Sequence, residues 1–318
     1  MLTALLGATA TVLAACGGSS AATVVEAPGA TASSVSPPAA SSGARPSVIV
    51  TYPVLGAVVK DVVGDTADVR VLMPGGADPH EWTPSAKDVQ AILAADLVVD
   101  NGLMLEGRIQ DPLAQAKAKG VTVFTVGDHI TVRKVKSGEG AEPEDPDQAP
   151  GADDPHLWTD PLTMKQWVTP FAATLKGKGV DVTARAARVE ADLADLDSRV
   201  RETLAAVPAG RRKLVTGHES MGYFAERYGF QLIGAVIPTV TSQSEASARE
   251  LADLTKKIKA AGIPAIFAEI GTPKATTDAV ARDSGATVVE LSAHLLPADG
   301  SYRTFMLAIA TTVTGALK

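Results

Sequence analysis

Five histidines occur in this 318-residue chain, and two of them stand in nearly the same words: ADPHEWTPS at residues 77–85 and DDPHLWTDP at residues 153–161. Within Asp-Pro-His-x-Trp-Thr, five of six residues recur, so His80 is answered by His156. An imidazole can serve as a general base or as a neutral metal ligand. A repeat that served folding would carry hydrophobic periodicity over tens of residues. The segments flanking the two motifs share none, so what recurs is a local chemical device. Proline before the histidine fixes the approach of the chain, and tryptophan two residues on can shield the site from water. Thr83 with Pro84, or Thr159 with Asp160-Pro161, suits a helix start. A buried imidazole also needs its second nitrogen satisfied, by a carboxylate or a carbonyl.

The elements that must position these residues follow from alternating patterns. Short β-branched runs occur at VIVTY, ADVRVLM (67–73), LVVD (97–100) and VTVFTV (121–126). Helical patterns lie between them at 54–63, 85–95 and 105–119. The second half has the same grammar, with KLVT (213–216), FQLIGAVI (230–237), AIFAEI (265–270) and ATVVEL (286–291). Such alternation predicts parallel sheets with crossover helices, here as two α/β lobes. Between them residues 181–207 are rich in Ala, Leu, Glu and Arg and free of Gly and Pro. The stripe Val182, Ala186, Val189, Leu193, Leu196, Val200 and Leu204 keeps a helical period, so one long rigid helix joins the lobes. Small domain motion follows from such a joint.

On this frame His80, His156, His218 and His294 each lie in a loop beyond a strand's carboxyl end, where open parallel sheets bind ligands. Two come from each lobe, and lobes that face each other would bring the four imidazoles together. His129, in the polar GDHITVRK, is set apart from this group. Four neutral imidazoles suit Zn(II), which accepts tetrahedral nitrogen ligation. Manganese prefers oxygen donors and comes second, while copper and nickel remain open on affinity order. Glu269, at the end of AIFAEI, is an outer partner or a substitute fourth ligand. Histidine ligation predicts affinity that falls as pH drops through about 6.5, where free imidazole takes up protons.

Two enzyme readings compete. Catalytic zinc keeps three protein ligands, a water and a nearby base; His218-Glu219 would supply that pair if His294 were not a ligand. TGHESMGYF has the strand-turn-helix setting of a serine nucleophile elbow, but the Gly-x-Ser-x-Gly spacing fails around Ser220. A surface-adhesion role lacks any repeat array or exposed aromatic patch.

Composition narrows the partners. A net charge of -7 and the lack of clustered Lys and Arg argue against nucleic acid. The single cysteine, Cys16, excludes an intrachain disulfide. Residues 1–15 carry no charge and are too short for a spanning helix, and read as an export signal. Leu13-Ala14-Ala15-Cys16-Gly17 looks like a bacterial lipobox, which implies cleavage before Cys16, acylation of its thiol and a membrane anchor that does not span. The basic residues expected after Met1 are missing. Residues 16–46, almost all Gly, Ser, Ala, Thr, Val and Pro, read as a flexible tether. The stretch 137–154 holds seven acidic and no basic residues, and reads as a solvated insertion that also gathers cations beside the site.

From Ser47 onward the chain resembles the metal-binding solute-receptor lipoproteins of bacterial ABC transporters, the zinc and manganese receptors with a helical backbone between their lobes. The resemblance is carried by Tyr52-Pro53, PGGADPHEWTPSAKDVQAILAADLVVDNGLMLE, DDPHLWTDP, the long helix, TGHESMGYFAERYGF, FAEIGTPK and GSYRTFM. It implies His80 and His156 as ligands of the first lobe and His218 as a position that is histidine in zinc-type members and glutamate in many manganese-type ones. The family's fourth ligand is usually an aspartate eight residues before the tyrosine of the terminal helix; here that residue is His294. The organisation expected is a signal peptide at 1–15, a lipidated tether at 16–46, a first lobe at 47–180, a connecting helix at 181–207 and a second lobe at 208–318. The resemblance implies a monomeric, membrane-anchored, extracytoplasmic receptor without enzyme activity, which passes Zn(II), or Mn(II) as second choice, to a cognate permease.

Overall fold

The computed structural model describes residues 45–136, 139 and 150–318. The expected signal segment, Cys16, nearly all of the tether and most of the acidic stretch lie outside these residues. No described helix is long and apolar enough to cross a membrane.

The first four strands are β1 (Ser47–Val50), β2 (Asp68–Val71), β3 (Leu97–Asp100) and β4 (Thr122–Thr125), in the spatial order β2-β1-β3-β4. The other four are β5 (Lys213–Thr216), β6 (Gln231–Ala235), β7 (Ala265–Ala268) and β8 (Thr287–Glu290), in the order β6-β5-β7-β8. Every strand pairing is parallel, and the second sheet repeats the topology of the first. The central strands are apolar because both faces are covered: β3 is buried throughout. The edge strand β2, DVRV, alternates exposed and half-buried residues instead. In each sheet the chain's winding reverses beside the first strand, which leaves a crevice beyond the carboxyl ends of the strands.

Helices α1 (Pro53–Val63), α2 (Ala86–Leu93) and α3 (Gln110–Ala118) cross over in the first lobe. Pro53 starts α1, and Ser85 starts α2 by a reciprocal capping box with Asp88. The helix expected from residue 105 begins only at Gln110. Gly102, Leu103 and Met104 turn through left-handed backbone (φ 75°, 54° and 59°), a conformation that two ordinary side chains seldom adopt. After α4 (Pro161–Gln166) and α5 (Val168–Gly177) comes the long helix α6, Thr183–Leu204. Its 22 residues span about 33 Å at 1.5 Å per residue. It buries the expected stripe of Ala186, Val189, Leu193, Leu196, Val200 and Leu204. Against it pack α1, α4, α5 and the terminal helix α10 (Tyr302–Leu317). One apolar core therefore runs from the first sheet through α6 and α10 into the second. In the second lobe α7 (Gly222–Tyr228), α8 (Ala248–Ala261) and α9 (Lys274–Ser284) make the crossovers.

A polar node lies inside the first lobe at the carboxyl ends of β1 and β3. Thr51 donates its hydroxyl to Glu106 Oε1, and Asn101 Nδ2 donates to the Pro155 carbonyl at 3.0 Å. The node thus ties the residue before Tyr52 and the residue before His156 to one loop. Glu106 is fully enclosed; burial, with the nearby Asp100 carboxylate adding to it, pushes its carboxyl up to about 8. A folded value above the ordinary 4.5 means that the native state holds its proton longer than the unfolded chain does. In this respect the protein is most stable below pH about 4.5 and loses stability as pH rises to about 8. Glu106→Gln, which is neutral at every pH, should therefore gain on the parent by an amount that grows between pH 5 and 8. Its size should be on the order of a few kcal/mol, read as the difference in urea midpoints. A difference that stays flat across that range would show that Glu106 is ionised in the folded protein.

Candidate metal centre

Both Asp-Pro-His motifs fold into the same turn. Asp78 Oδ1 accepts the His80 backbone N–H at 2.9 Å, and Asp154 Oδ1 accepts that of His156 at 3.0 Å. Proline cannot donate, so the aspartate closes the turn onto the next free N–H and fixes where the imidazole leaves the chain. Beyond His156, Trp158 is fully buried, and Asp160 caps α4 by accepting from Leu162 N at 2.9 Å. Trp82, in the first motif, is only partly covered. His218 follows β5 after Gly217, where a side chain would strike Thr272 Oγ1. His294 follows β8 on a segment whose Ala293 carbonyl accepts the Trp158 indole N–H at 2.8 Å.

The structure brings the four histidines together in the crevice between the sheets, none more than 5% exposed. His80 Nε2 lies 3.3 Å from His156 Nε2, which lies 3.1 Å from His218 Nε2. Nitrogens bound tetrahedrally at 2.0–2.1 Å from a zinc ion are about 3.3–3.4 Å apart, so these separations match the edges of such a site. Outer groups decide which nitrogen carries the proton. His156 Nδ1 is 2.9 Å from Asp154 Oδ1, and His218 Nδ1 is 2.9 Å from Glu269 Oε2, though out of line for a regular hydrogen bond. An ionised carboxylate only accepts, so an imidazole facing one favours its proton on Nδ1, and in its neutral form turns a lone pair inward on Nε2. Two lone pairs 3.1 Å apart repel, and a cation between them removes the repulsion.

His294 completes the group from the other side. Its ring stacks on His218 at 5.6 Å, and its Nδ1 lies 3.3 Å from the Tyr52 hydroxyl. Its Nε2 is buried with no partner among the described residues. Two overlapping triads have mutually close ligand atoms: His80, His156 and His218, and then His218, Glu269 and His294. Burial, then the neighbouring rings, holds His80 and His294 well below the ordinary imidazole range; His156 is lowered by burial, then by His218 and Arg133. A neutral imidazole keeps one nitrogen lone pair with which it can bind a metal.

The outer groups are themselves anchored. Asp154 accepts Arg133 Nη1 at 3.0 Å; burial raises its carboxyl to about 6 even so, with Arg133 opposing. Glu269 accepts the Ser220 hydroxyl on both oxygens, at 2.6 and 2.7 Å. Thus Ser220 does not sit as a nucleophile but as the holder of a carboxylate. Asp154 also changes the reading of the acidic stretch 137–154, because it is wholly buried and lies against His156. Glu219 belongs to neither triad, and burial keeps its carboxyl well above the ordinary range. His129 is exposed and stacks on Phe124, apart from the other four.

The sequence reading names every imidazole of this cluster and Glu269, but not Tyr52, Asp78, Asp154 or Ser220 as parts of the site. The two aspartates carry a visible signal, since they open the repeated motif. Tyr52 and Ser220 carry none, because their partners lie 242 and 49 residues away.

Comparison with known proteins gives the same grouping. Residues 48–316 match the family model described as zinc-uptake complex component A, periplasmic. The zinc-binding protein TroA of Treponema pallidum is 31% identical over 280 residues, which cover 87% of this chain and 85% of that protein. The manganese-binding lipoprotein MntA of Halalkalibacterium halodurans is 26% identical over 245 residues, covering 76% of each. The solved structure of the periplasmic zinc-binding protein TroA superposes with a TM-score of 0.73 at 28% identity, over 86% of this chain and 99% of that one. The expectation from the motifs thus holds, and the chain belongs to the zinc-uptake complex component A family of metal-binding solute receptors.

Proposed function

We propose that this protein is an extracytoplasmic receptor that captures Zn(II) between its two lobes and passes it to a membrane permease, with His80, His156, His218 and His294 as ligands. The observation that carries the reading is the approach of His156 Nε2 to within 3.1 Å of His218 Nε2, with oxygens of Asp154 and Glu269 each 2.9 Å from the outer nitrogen of its ring. An all-nitrogen set favours zinc over manganese, whose preferred donors are oxygens. Mn(II) stays the second choice, because relatives are named for either metal. The first lobe at 47–180, the connecting helix at 181–207 and the second lobe at 208–318 keep their expected limits in this reading. So do the anchor through Cys16, the monomeric state and the absence of a nucleic-acid partner.

A receptor without enzyme activity also fits the carboxylates better than a hydrolase does. A zinc hydrolase needs an ionised base beside the metal-bound water. Glu219 is the candidate for that base, yet burial raises its carboxyl well above the ordinary range and so disfavours the ionised form, with Glu139 and Asp154 adding to the effect and Arg133 opposing it. It also belongs to neither ligand triad.

Removal of His80, His156 or His218 by alanine should weaken zinc binding more than about 100-fold, since even an outer partner of a ligand is worth about 10- to 100-fold. Asp154→Asn should fall within that smaller range. Both are read by competition with a chelator of known affinity, and parental affinity in any of the three alanine variants would take that residue out of the site. Proton release gives an independent measure. At pH 6.5 an ordinary imidazole would release about half a proton on binding metal. His80, His156 and His294, kept neutral by burial, should release almost none, so the loss of affinity moves below pH 6.5. Calorimetric zinc titrations at pH 6.5 in buffers of different ionisation enthalpy test this; release of more than about one proton per ion would contradict it.

A further inference from the structure

The partners of the ring nitrogens are not all alike. His156 and His218 face carboxylates, which only accept and so hold the proton on Nδ1. His294 faces the hydroxyl of Tyr52, at 3.3 Å, and a phenol both donates and accepts. With Nδ1–H donating to the Tyr52 oxygen, the Nε2 lone pair of His294 is free to bind an ion. With the Tyr52 O–H donating to Nδ1, the proton sits on Nε2 and blocks it. Tyr52 itself cannot swing away. It is fully buried, its ring packs on Trp158 at 4.7 Å, and Trp158 is held by Ala293 at 2.8 Å and by the Tyr302 hydroxyl at 2.7 Å.

We propose that Tyr52 is a positioning residue that makes His294 a conditional ligand: its hydroxyl accepts from Nδ1–H when an ion takes Nε2 and donates to Nδ1 when the ion leaves, the imidazole proton passing between the two ring nitrogens by way of water with no net gain or loss. This rests on the reading of His294 as a ligand. Tyr52 follows β1 in the first lobe, while His294 follows β8 in the second, so the contact exists only with the lobes together. His156 and His218 each keep a carboxylate of their own lobe beside Nδ1, whereas the aim of His294 depends on a hydroxyl from the other lobe. The buried Nε2 without a partner is what this predicts for a ligand that awaits its ion.

The test is a double-mutant cycle on the full chain with Zn(II) and Co(II). Tyr52→Phe keeps the ring against Trp158 and removes only the hydroxyl. It should raise the zinc Kd by about 10- to 100-fold, and His294→Ala should raise it at least as much. The double variant should bind no more weakly than His294→Ala alone, because Tyr52 acts only through that ring. The Co(II) absorption of Tyr52→Phe should likewise shift toward that of His294→Ala. Losses that add in the double variant, or parental affinity in Tyr52→Phe beside a weakened His294→Ala, would overturn the role of Tyr52 and leave the metal site standing. Parental affinity in His294→Ala would remove the fourth ligand itself, and this proposal with it.

Discussion

The close approach of His156 Nε2 and His218 Nε2, 3.1 Å apart with a carboxylate oxygen 2.9 Å from each ring's Nδ1, is the constraint around which the molecule is arranged. Neither nitrogen can reach water, and neither can hydrogen-bond to the other without a proton that burial denies to His156. His80 Nε2, 3.3 Å from His156 Nε2, can donate to it, which leaves His218 Nε2 as an acceptor without a donor at a cost of about 1–3 kcal/mol. The arrangement persists because each ring is fixed from outside: one by Asp154 on Arg133, the other by Glu269 on Ser220. Pre-set lone pairs mean that little reorganisation is needed when an ion arrives.

Contacts that cross between the lobes hold this geometry. Arg227 on α7 grips Asp160, the cap of α4, through both carboxylate oxygens at 2.9 and 3.0 Å. Ser242 donates to Asp78 at 2.6 Å, and Gln243 donates to the His80 carbonyl, so the loop after β6 closes over the first motif. The Asp-Pro-His turns therefore have two duties: each aims an imidazole, and each offers the other lobe a polar handle. Because α6 is one uninterrupted helix packed on α1, α4, α5 and α10, opening must break these few polar contacts rather than bend a hinge.

Much of this was legible in the residues. The β-branched runs located all eight strands, and their alternation with helical patterns gave two parallel sheets, because a covered parallel strand has to be apolar on both faces. Once the strands were placed, His80, His156, His218 and His294 fell at carboxyl ends. The start of α3 was not legible, since a left-handed turn at Leu103 and Met104 leaves no mark in composition. Nor was the role of Tyr52, whose meaning comes from a ring 242 residues away. Asp154 shows a different failure: read with its acidic neighbours it belongs to a solvated tract, and only its burial separates it from them. Local pattern reports which element a residue joins; long-range pairing decides what it touches.

The same long-range pairing bears on which metal the site favours. An aspartate at position 294 would bring a formal charge and an oxygen donor next to the ion, whereas an imidazole brings neither. With four imidazoles as ligands, as proposed, the dication's charge would be met by groups further out, Asp154 and Glu269, each behind a histidine. That arrangement would let charge stabilise a bound ion while the donors touching it remain nitrogens. It discriminates by ligand softness rather than by net charge. A hard, oxygen-preferring ion would gain the distant electrostatics but lose the contacts, and an ion content with four imidazoles would gain both.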